Sequence, residues 1–341
     1  MSYQVEFVPS GHRIRVEPGE TVLEAALRHG FLVPYGCRSG ACGACLGRLL
    51  EGKVDYDETP LALEDLEDAG QQVALCMARP RSDLRLEVGE VRALGDIPIR
   101  RFPAKVVALE RLAHDVMRVL LRLPEGQRLQ FLAGQYLDIL QPDGGRRSFS
   151  IANAPHDDDH LELHIRYVPG GGFSQHVFEE MRLGEIVRIE APLGGFYLRE
   201  DAHRPVVMVG GGTGFAPLKA MIEHAFHIGF EAPIHLFWGV RARRDLYMRE
   251  LPEAWAQARS DFRFTPVLSE PMPGDRWTGA TGWVHEAVVA EYPDLSGHDV
   301  YMGGPPVMIE AGRKAFLAHG LPRERLFSDA FEYNSLIEKR R

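Results

Sequence analysis

The sequence predicts a multidomain chain of α+β and α/β architecture, and three observations carry that expectation. Three cysteines crowd into "YGCRSGACGACLG", residues 35–47, behind a hairpin pattern and a short helix pattern. A middle stretch then alternates apolar and polar residues in segments parted by turn signals, as an antiparallel barrel does. A third stretch opens on an apolar strand, a glycine run and a helix, the start of a Rossmann-like sheet. At 341 residues the chain has room for two or three domains of about 100–200 residues each.

Composition excludes several classes. Hydrophobic residues at 45% and charged residues at 26% are ordinary for a globular protein. No apolar run approaches about 18 residues and no leader pattern opens the chain, which points to a cytoplasmic protein without membrane partners. A net charge of −9 argues against nucleic acid as a partner and leaves docking of a basic protein open.

The chain has only four cysteines: Cys37, Cys42, Cys45 and Cys76. Their spacing, C-x4-C-x2-C with a distant fourth, is that of four thiolates holding a plant-type [2Fe–2S] cluster. A structural zinc site, the alternative, uses paired cysteine knuckles, and Cys76 has no near partner. A disulfide framework does not suit a reducing compartment. Ser39, Gly40, Ala41, Gly43 and Ala44 are small enough for backbone N–H groups to close around inorganic sulfide.

Neighbouring segments agree. "YQVEFVPSGHRIRVEP" alternates and turns at Ser10-Gly11, a β-hairpin. "TVLEAALRHG" starts with a capping box, Thr21 and Glu24, and stops at Gly30. Thr59-Pro60 can open a second short helix, with Glu64, Asp65, Glu67 and Asp68 on a solvated face. "QVALCMA" puts Cys76 on or at the end of a strand, and "LRLEV" is another strand. This order resembles the β-grasp ferredoxin domain over residues 1–92, followed by a linker in "VGEVRALGDIPIR".

Beyond the linker, "FPAKVVALERL", "DVMRVLLRL" and "QYLDILQP" are the alternating barrel segments. Arg147-Ser148-Phe149-Ser150 matches the R-x-[YF]-S motif and is similar to that of the ferredoxin–NADP reductase family. The resemblance implies an antiparallel six-stranded flavin-binding barrel over residues 99–200. It places Arg147 at the flavin pyrophosphate, Phe149 along the isoalloxazine ring and Ser150 near its reactive nitrogen, with Ser148 among the cofactor-binding residues. In "LELHIRYVPGGGFSQHVF" a strand through Arg166 and Tyr167 reaches Gly171 and Gly172, then a helix from near Ser174. Backbone N–H groups there can face a phosphate.

"RPVVMVGGGTGFAPLKAMIEHAF" runs from a strand at Val206–Val209 through Gly211, Gly212, Thr213 and Gly214 to a helix containing Pro217. It resembles the GGTG segment of the same family's nicotinamide domain, here residues 203–335. "IHLFWGVRARRDLY", with Arg241, is the expected adenosine side, and Gly303, Gly304, Pro305 and Met308 resemble the family's C-G-P-P-x-M segment with glycine in place of its cysteine. Phe331 matches the residue that covers the flavin in that family.

With an N-terminal ferredoxin, the whole chain resembles reductases that carry electrons from NADH, with NADPH as the alternative, through FAD and [2Fe–2S] to a protein acceptor. Ser150, Thr213 and Phe331 are the expected catalytic group. The acceptor implied is a dehydrase of 3,6-dideoxyhexose synthesis or a mono- or dioxygenase component; "RRSFSIANAP", "WTGATGWVHEAV" and "LFSDAF" favour the dehydrase branch. A free-flavin or quinone reductase is the competing expectation.

Overall fold

The computed structural model describes residues 2–29, 31–36, 38–41, 43–64, 66, 68–89, 91–93 and 97–331. Contacts divide the chain into two units: residues 1–98 with 194–196 and 328–330, and residues 99–193 with 197–327 and 331–341. Among the described residues, no helix is long and apolar enough to cross a membrane.

In the first unit β1 (Tyr3–Val8) and β2 (Arg13–Val16) form the expected hairpin, burying Val5, Phe7, Ile14 and Val16 on one face. Helix α1 (Val22–Arg28) begins at the capping box: Thr21 Oγ1 accepts from Glu24 N at 3.2 Å, and Glu24 Oε2 accepts from Thr21 N at 2.8 Å. Two further N–H groups of its first turn, on Val22 and Leu23, donate to the carbonyls of Ala78 and Leu75, either side of Cys76. The cysteine turn therefore caps the helix.

The unit continues with β3 (Phe31–Leu32), β4 (Leu46–Glu51), β5 (Val54–Asp55), α2 (Leu61–Glu64), β6 (Gln72–Ala74), β7 (Arg79–Pro80), β8 (Leu84–Glu87) and β9 (Arg92–Ala93). The main sheet runs β2-β1-β8-β4-β6, with β1 and β8 parallel; β3–β9 and β5–β7 are small ladders. Gly30, the expected helix stop, and Asp65 and Glu67 of the expected acidic face lie outside the described residues.

The second unit opens with six antiparallel strands: β10 (Arg100–Ala113), β11 (Val116–Arg122), β12 (Tyr136–Leu140), β13 (Arg146–Ser150), β14 (Leu161–Arg166) and β15 (Ile186–Leu193). Their order is β13-β12-β15-β10-β11-β14, and contact between β13 and β14 curls the sheet into a barrel. Val119, Leu121, Leu137, Ile139, Leu163 and Ile165 fill it from alternate strand positions. Helix α3 (Gly172–Gln175) starts two residues before the expected Ser174 and passes into a wider turn at His176–Glu180.

The nucleotide lobe of this unit alternates strand and helix: β16 (Val206–Gly211), α4 (Phe215–Ile228), β17 (Ile234–Val240), α5 (Glu250–Ala258), β18 (Phe262–Leu268), β19 (Ala280–Thr281), α6 (Val284–Glu291), β20 (Asp299–Gly304), α7 (Pro306–Ala318) and β21 (Leu326–Ala330). The sheet order is β19-β18-β17-β16-β20-β21, and the β16–β17, β16–β20 and β17–β18 pairs are parallel. All six residues of β16 are buried, as the centre of a two-sided parallel sheet requires.

Leu137, fully buried at the barrel centre, gives a direct check on this core. Leu137→Ala should cost about 2–5 kcal/mol. Denaturant unfolding followed by far-UV circular dichroism should show an earlier transition, and an unchanged midpoint would contradict the packing described.

Candidate functional site

In the first unit, Cys45 and Cys76 are buried, with their sulfurs 3.2 Å apart. That is well beyond the bond length of about 2.05 Å in a disulfide. Two thiolates at this spacing can share one metal ion, with metal–sulfur bonds near 2.3 Å as in zinc thiolates. Cys37 and Cys42 lie outside the described residues.

The backbone around them is built for a tight loop. Gly40 and Gly43 take φ of +78° and +73°, and a Cβ on Gly40 would collide with Met77 Sδ. Arg38 also takes positive φ, at 61°, with its guanidinium 5.2 Å from the Tyr35 ring centre. Beside the thiols, burial together with the cysteine charges pushes the Tyr56 phenol up to about 12 despite a bond from Ala74 N, so Tyr56 stays neutral.

The second unit holds a cleft of ≈ 1050 Å³, lined among others by Arg166, Tyr167, Thr213, Arg241, Trp283 and Met308. Its floor is the glycine loop. A Cβ on Gly214 would collide with the Gly303 carbonyl, and one on Gly211 with Met308 Sδ. Gly212 takes φ +56°, and its carbonyl accepts from Trp238 Nε1 at 2.9 Å. A Cβ on Gly303 would come within 2.9 Å of Gly214 O, which is why glycine suits the position where the family pattern has cysteine. Gly304 (φ +154°) and Pro305 lead into α7, and Phe331 N donates to Gly304 O. Pro217 is buried behind the loop, and Thr213, within it, is almost fully buried at the cleft floor.

On the barrel side, Arg166 donates through Nε to Asp115 Oδ2 at 2.8 Å, and its Nη1 would lie 3.0 Å from a Cβ on Gly212. Tyr167 N donates to Asp115 O. Ser174 Oγ accepts from Val168 N at 3.0 Å and closes the turn containing Gly171 and Gly172. On β13, Arg147 is half-buried, Phe149 lies 5.6 Å from the Phe173 ring, and Ser150 is buried. Ser148 is exposed and donates to Asp138 Oδ1 at 2.6 Å.

The odd positions of β14 enter the barrel core, and Glu162, His164 and Arg166 face the nucleotide lobe. His164 is fully enclosed. Its Nε2 lies 2.7 Å from Glu162 Oε1 and its Nδ1 3.0 Å from Tyr247 Oη. A carboxylate only accepts, so Nε2 carries the proton and the Tyr247 hydroxyl donates to Nδ1. Burial keeps His164 neutral against the pull of Glu162. Lys219 Nζ lies 3.5 Å from Glu162 Oε2 and donates to Ala152 O at 3.1 Å and Glu223 Oε2 at 3.0 Å. Trp283, 60% exposed on the cleft wall, is another residue sequence reasoning passed over; an exposed tryptophan inside a concavity is the signal that marks it.

Three family models cover these parts: a 2Fe-2S iron-sulfur cluster binding domain at residues 5–81, an oxidoreductase FAD-binding domain at 103–197 and an oxidoreductase NAD-binding domain at 208–314. The CDP-6-deoxy-L-threo-D-glycero-4-hexulose-3-dehydrase reductase of Yersinia pestis is 39% identical over 97% of this chain and 99% of its own. The chain belongs to the iron–sulfur flavoprotein reductases. The phenol hydroxylase P5 protein of Acinetobacter pittii is 35% identical, covering 97% of this chain and 95% of its own. The solved cytochrome P450 reductase GcoB of Amycolatopsis is 36% identical with TM-score 0.77, over 96% and 98% of the two chains. The reductase is therefore an NAD(P)H-dependent electron-transfer oxidoreductase with [2Fe–2S], FAD and NAD-binding domains.

Glu162 supplies a pH test of the buried network. Burial alone would raise its carboxyl, but the His164 hydrogen bond and the charges of Lys219 and Arg118 hold it at about 2, below the ordinary 4.5. A carboxyl depressed on folding stabilises above its ordinary value and loses that contribution as pH falls through the depressed one. Between pH 4.5 and 2 the urea midpoint should fall more steeply in the native reductase than in Glu162→Gln. Parallel profiles would contradict the pairing.

Proposed function

We propose that the reductase prefers NADH and delivers single electrons to a dehydrase of 3,6-dideoxyhexose synthesis, as CDP-6-deoxy-Δ3,4-glucoseen reductase does. The observation that carries the pairing with a dehydrase is the full-length likeness to the Yersinia protein, at higher identity than to the phenol hydroxylase protein. An oxygenase component is the second candidate acceptor, favoured by the likeness to GcoB.

We infer the residue roles from the family resemblance. Cys37, Cys42, Cys45 and Cys76 hold the cluster. Arg147 and the Gly171-Gly172-Ser174 turn face the flavin phosphates, where a guanidinium fork and backbone N–H groups suit phosphate oxygens. Phe149, Ser150 and Phe331 frame the flavin ring. The Gly211–Gly214 loop and Gly304-Pro305-Met308 cradle the dinucleotide, with Thr213 beside the nicotinamide and Arg241 on the adenosine side. Arg166 and Tyr167 form the barrel wall of that cleft.

When bound, nicotinamide supplies an electron pair as hydride, flavin exchanges one or two electrons, and the cluster carries one at a time. The protein's part is placement and exclusion of water. Preference for NADH is supported by Asp245: its carboxylate lies 3.9 Å from both Arg241 Nε and Arg244 Nε. Guanidinium groups already facing a carboxylate have less to offer a 2′-phosphate.

Two outcomes test this. Steady-state kinetics should give a higher kcat/KM for NADH than for NADPH, and the reverse order would overturn the preference. Cys76→Ser should abolish NADH-driven reduction of a purified pyridoxamine-phosphate-dependent dehydrase while ferricyanide reduction persists. Survival of dehydrase reduction in the variant would remove the cluster from the route.

A further inference from the structure

The outward face of β14 spends three consecutive outward positions on polar groups, although two of them are buried: Glu162 at 2% exposure and His164 at 5%. Burying such groups is costly unless each finds a partner. Glu162 and His164 pair with each other, and all three also find partners outside β14. Arg166 is bonded to Asp115 and stands beside Gly212 of the glycine loop. His164 takes the Tyr247 hydroxyl. Glu162 faces Lys219, one turn into the helix that the glycine loop opens.

Each contact reaches a part of the site. Tyr247 packs edge-on to Trp238 at 5.1 Å between ring centres, and the Trp238 indole holds the Gly212 carbonyl. The Lys219 ammonium holds the carbonyl of Ala152, two residues beyond Ser150. Glu162 fixes the same segment from the other side, since its carbonyl accepts from Ala152 N at 2.8 Å and its N–H donates to Asn153 Oδ1 at 2.8 Å. One strand thus ties the Ser150 segment to the Gly212 loop through hydrogen bonds, one ion pair and one ring contact.

We propose that the Glu162–His164–Tyr247 and Glu162–Lys219 contacts are a positioning device that sets the separation between the flavin-side segment at Ser150 and the nicotinamide-side loop at Gly212. The inference rests on the functional reading above. The step it serves moves one hydride, two electrons and a proton, from the dihydronicotinamide to the flavin, leaving NAD+ and reduced flavin. The Ser150 segment would hold the flavin side and the Gly212 loop the nicotinamide side, so small displacements between them act on the rate more than on binding. Lys219 lies off the cleft, and Tyr247, whose ring lines the cleft wall, turns its hydroxyl away to His164; in this role both act through Trp238 and Ala152.

Anaerobic stopped-flow mixing of the holoprotein with NADH tests it. Tyr247→Phe removes one hydroxyl and keeps the ring; Lys219→Met removes the charge and keeps the stem. Each should slow flavin reduction at saturating NADH by roughly ten- to a hundredfold. The NADH dissociation constant should stay as in the native protein. The long-wavelength charge-transfer band of reduced flavin with NAD+ should weaken, and Lys219→Arg, which keeps a cation with donors, should restore most of both. In the cofactor-free chain, amide exchange at Gly210–Gly214 and Ile151–Asn153 should quicken in both variants.

Where Lys219→Met fails to fold, Tyr247→Phe alone decides. A native rate and a native band in that variant would overturn the proposal, even with a lowered melting temperature, since the strand face would then serve stability only. A native holoprotein whose flavin NADH does not reduce would instead overturn the functional reading and the proposal with it.

Discussion

The nucleotide lobe depends on backbone meeting backbone where the glycine loop crosses the end of β20. Gly214 and Gly303 approach so closely that neither position has room for a Cβ without displacing the other's carbonyl. A Cβ on Gly211 would meet the Met308 side chain, and one on Gly304 the same side chain and, less closely, the Gly211 backbone. Everything that forms the cleft is set by this crossing: α4 starts from it, α7 starts beside it, and Phe331 is bonded to Gly304. The glycine at 303, a departure from the family pattern, belongs to this constraint. A side chain there would push the loop away from β20.

The first unit solves a different problem with similar means. A loop carrying metal ligands must turn sharply and keep its thiols dry, and positive-φ residues at 38, 40 and 43 make the turn. The Cys76 turn then serves twice, because its carbonyls also cap α1. Loss of the Cys76 turn and loss of the helix are therefore coupled.

Much of this was legible in the sequence. The capping box at Thr21 and Glu24, the hairpin turn at Ser10-Gly11 and the strand–glycine–helix passage at Val206–Pro217 are local signals, and the structure forms each of them. The cysteine spacing is local too. What escaped was the polar face of β14. "LELHIR" shows its alternation plainly, but Glu162 and His164 look like ordinary solvated positions until a second lobe covers them. Their partners Lys219 and Tyr247 are 57 and 83 positions away from Glu162 and His164 respectively, so no window of sequence contains both ends. Ser148 illustrates the same limit: its place in R-x-[YF]-S says nothing of Asp138 across the strand pair.

One chain converts an electron pair from a reduced nicotinamide into single electrons held on its own iron–sulfur cluster. Electron paramagnetic resonance of the anaerobic holoprotein after stoichiometric NADH tests it most directly. The account predicts a spin-half signal of a reduced [2Fe–2S] cluster, appearing with flavin bleaching and lost in Cys45→Ser. Full bleaching of the flavin with no cluster signal, in protein shown to contain two irons and sulfide per chain, would contradict it.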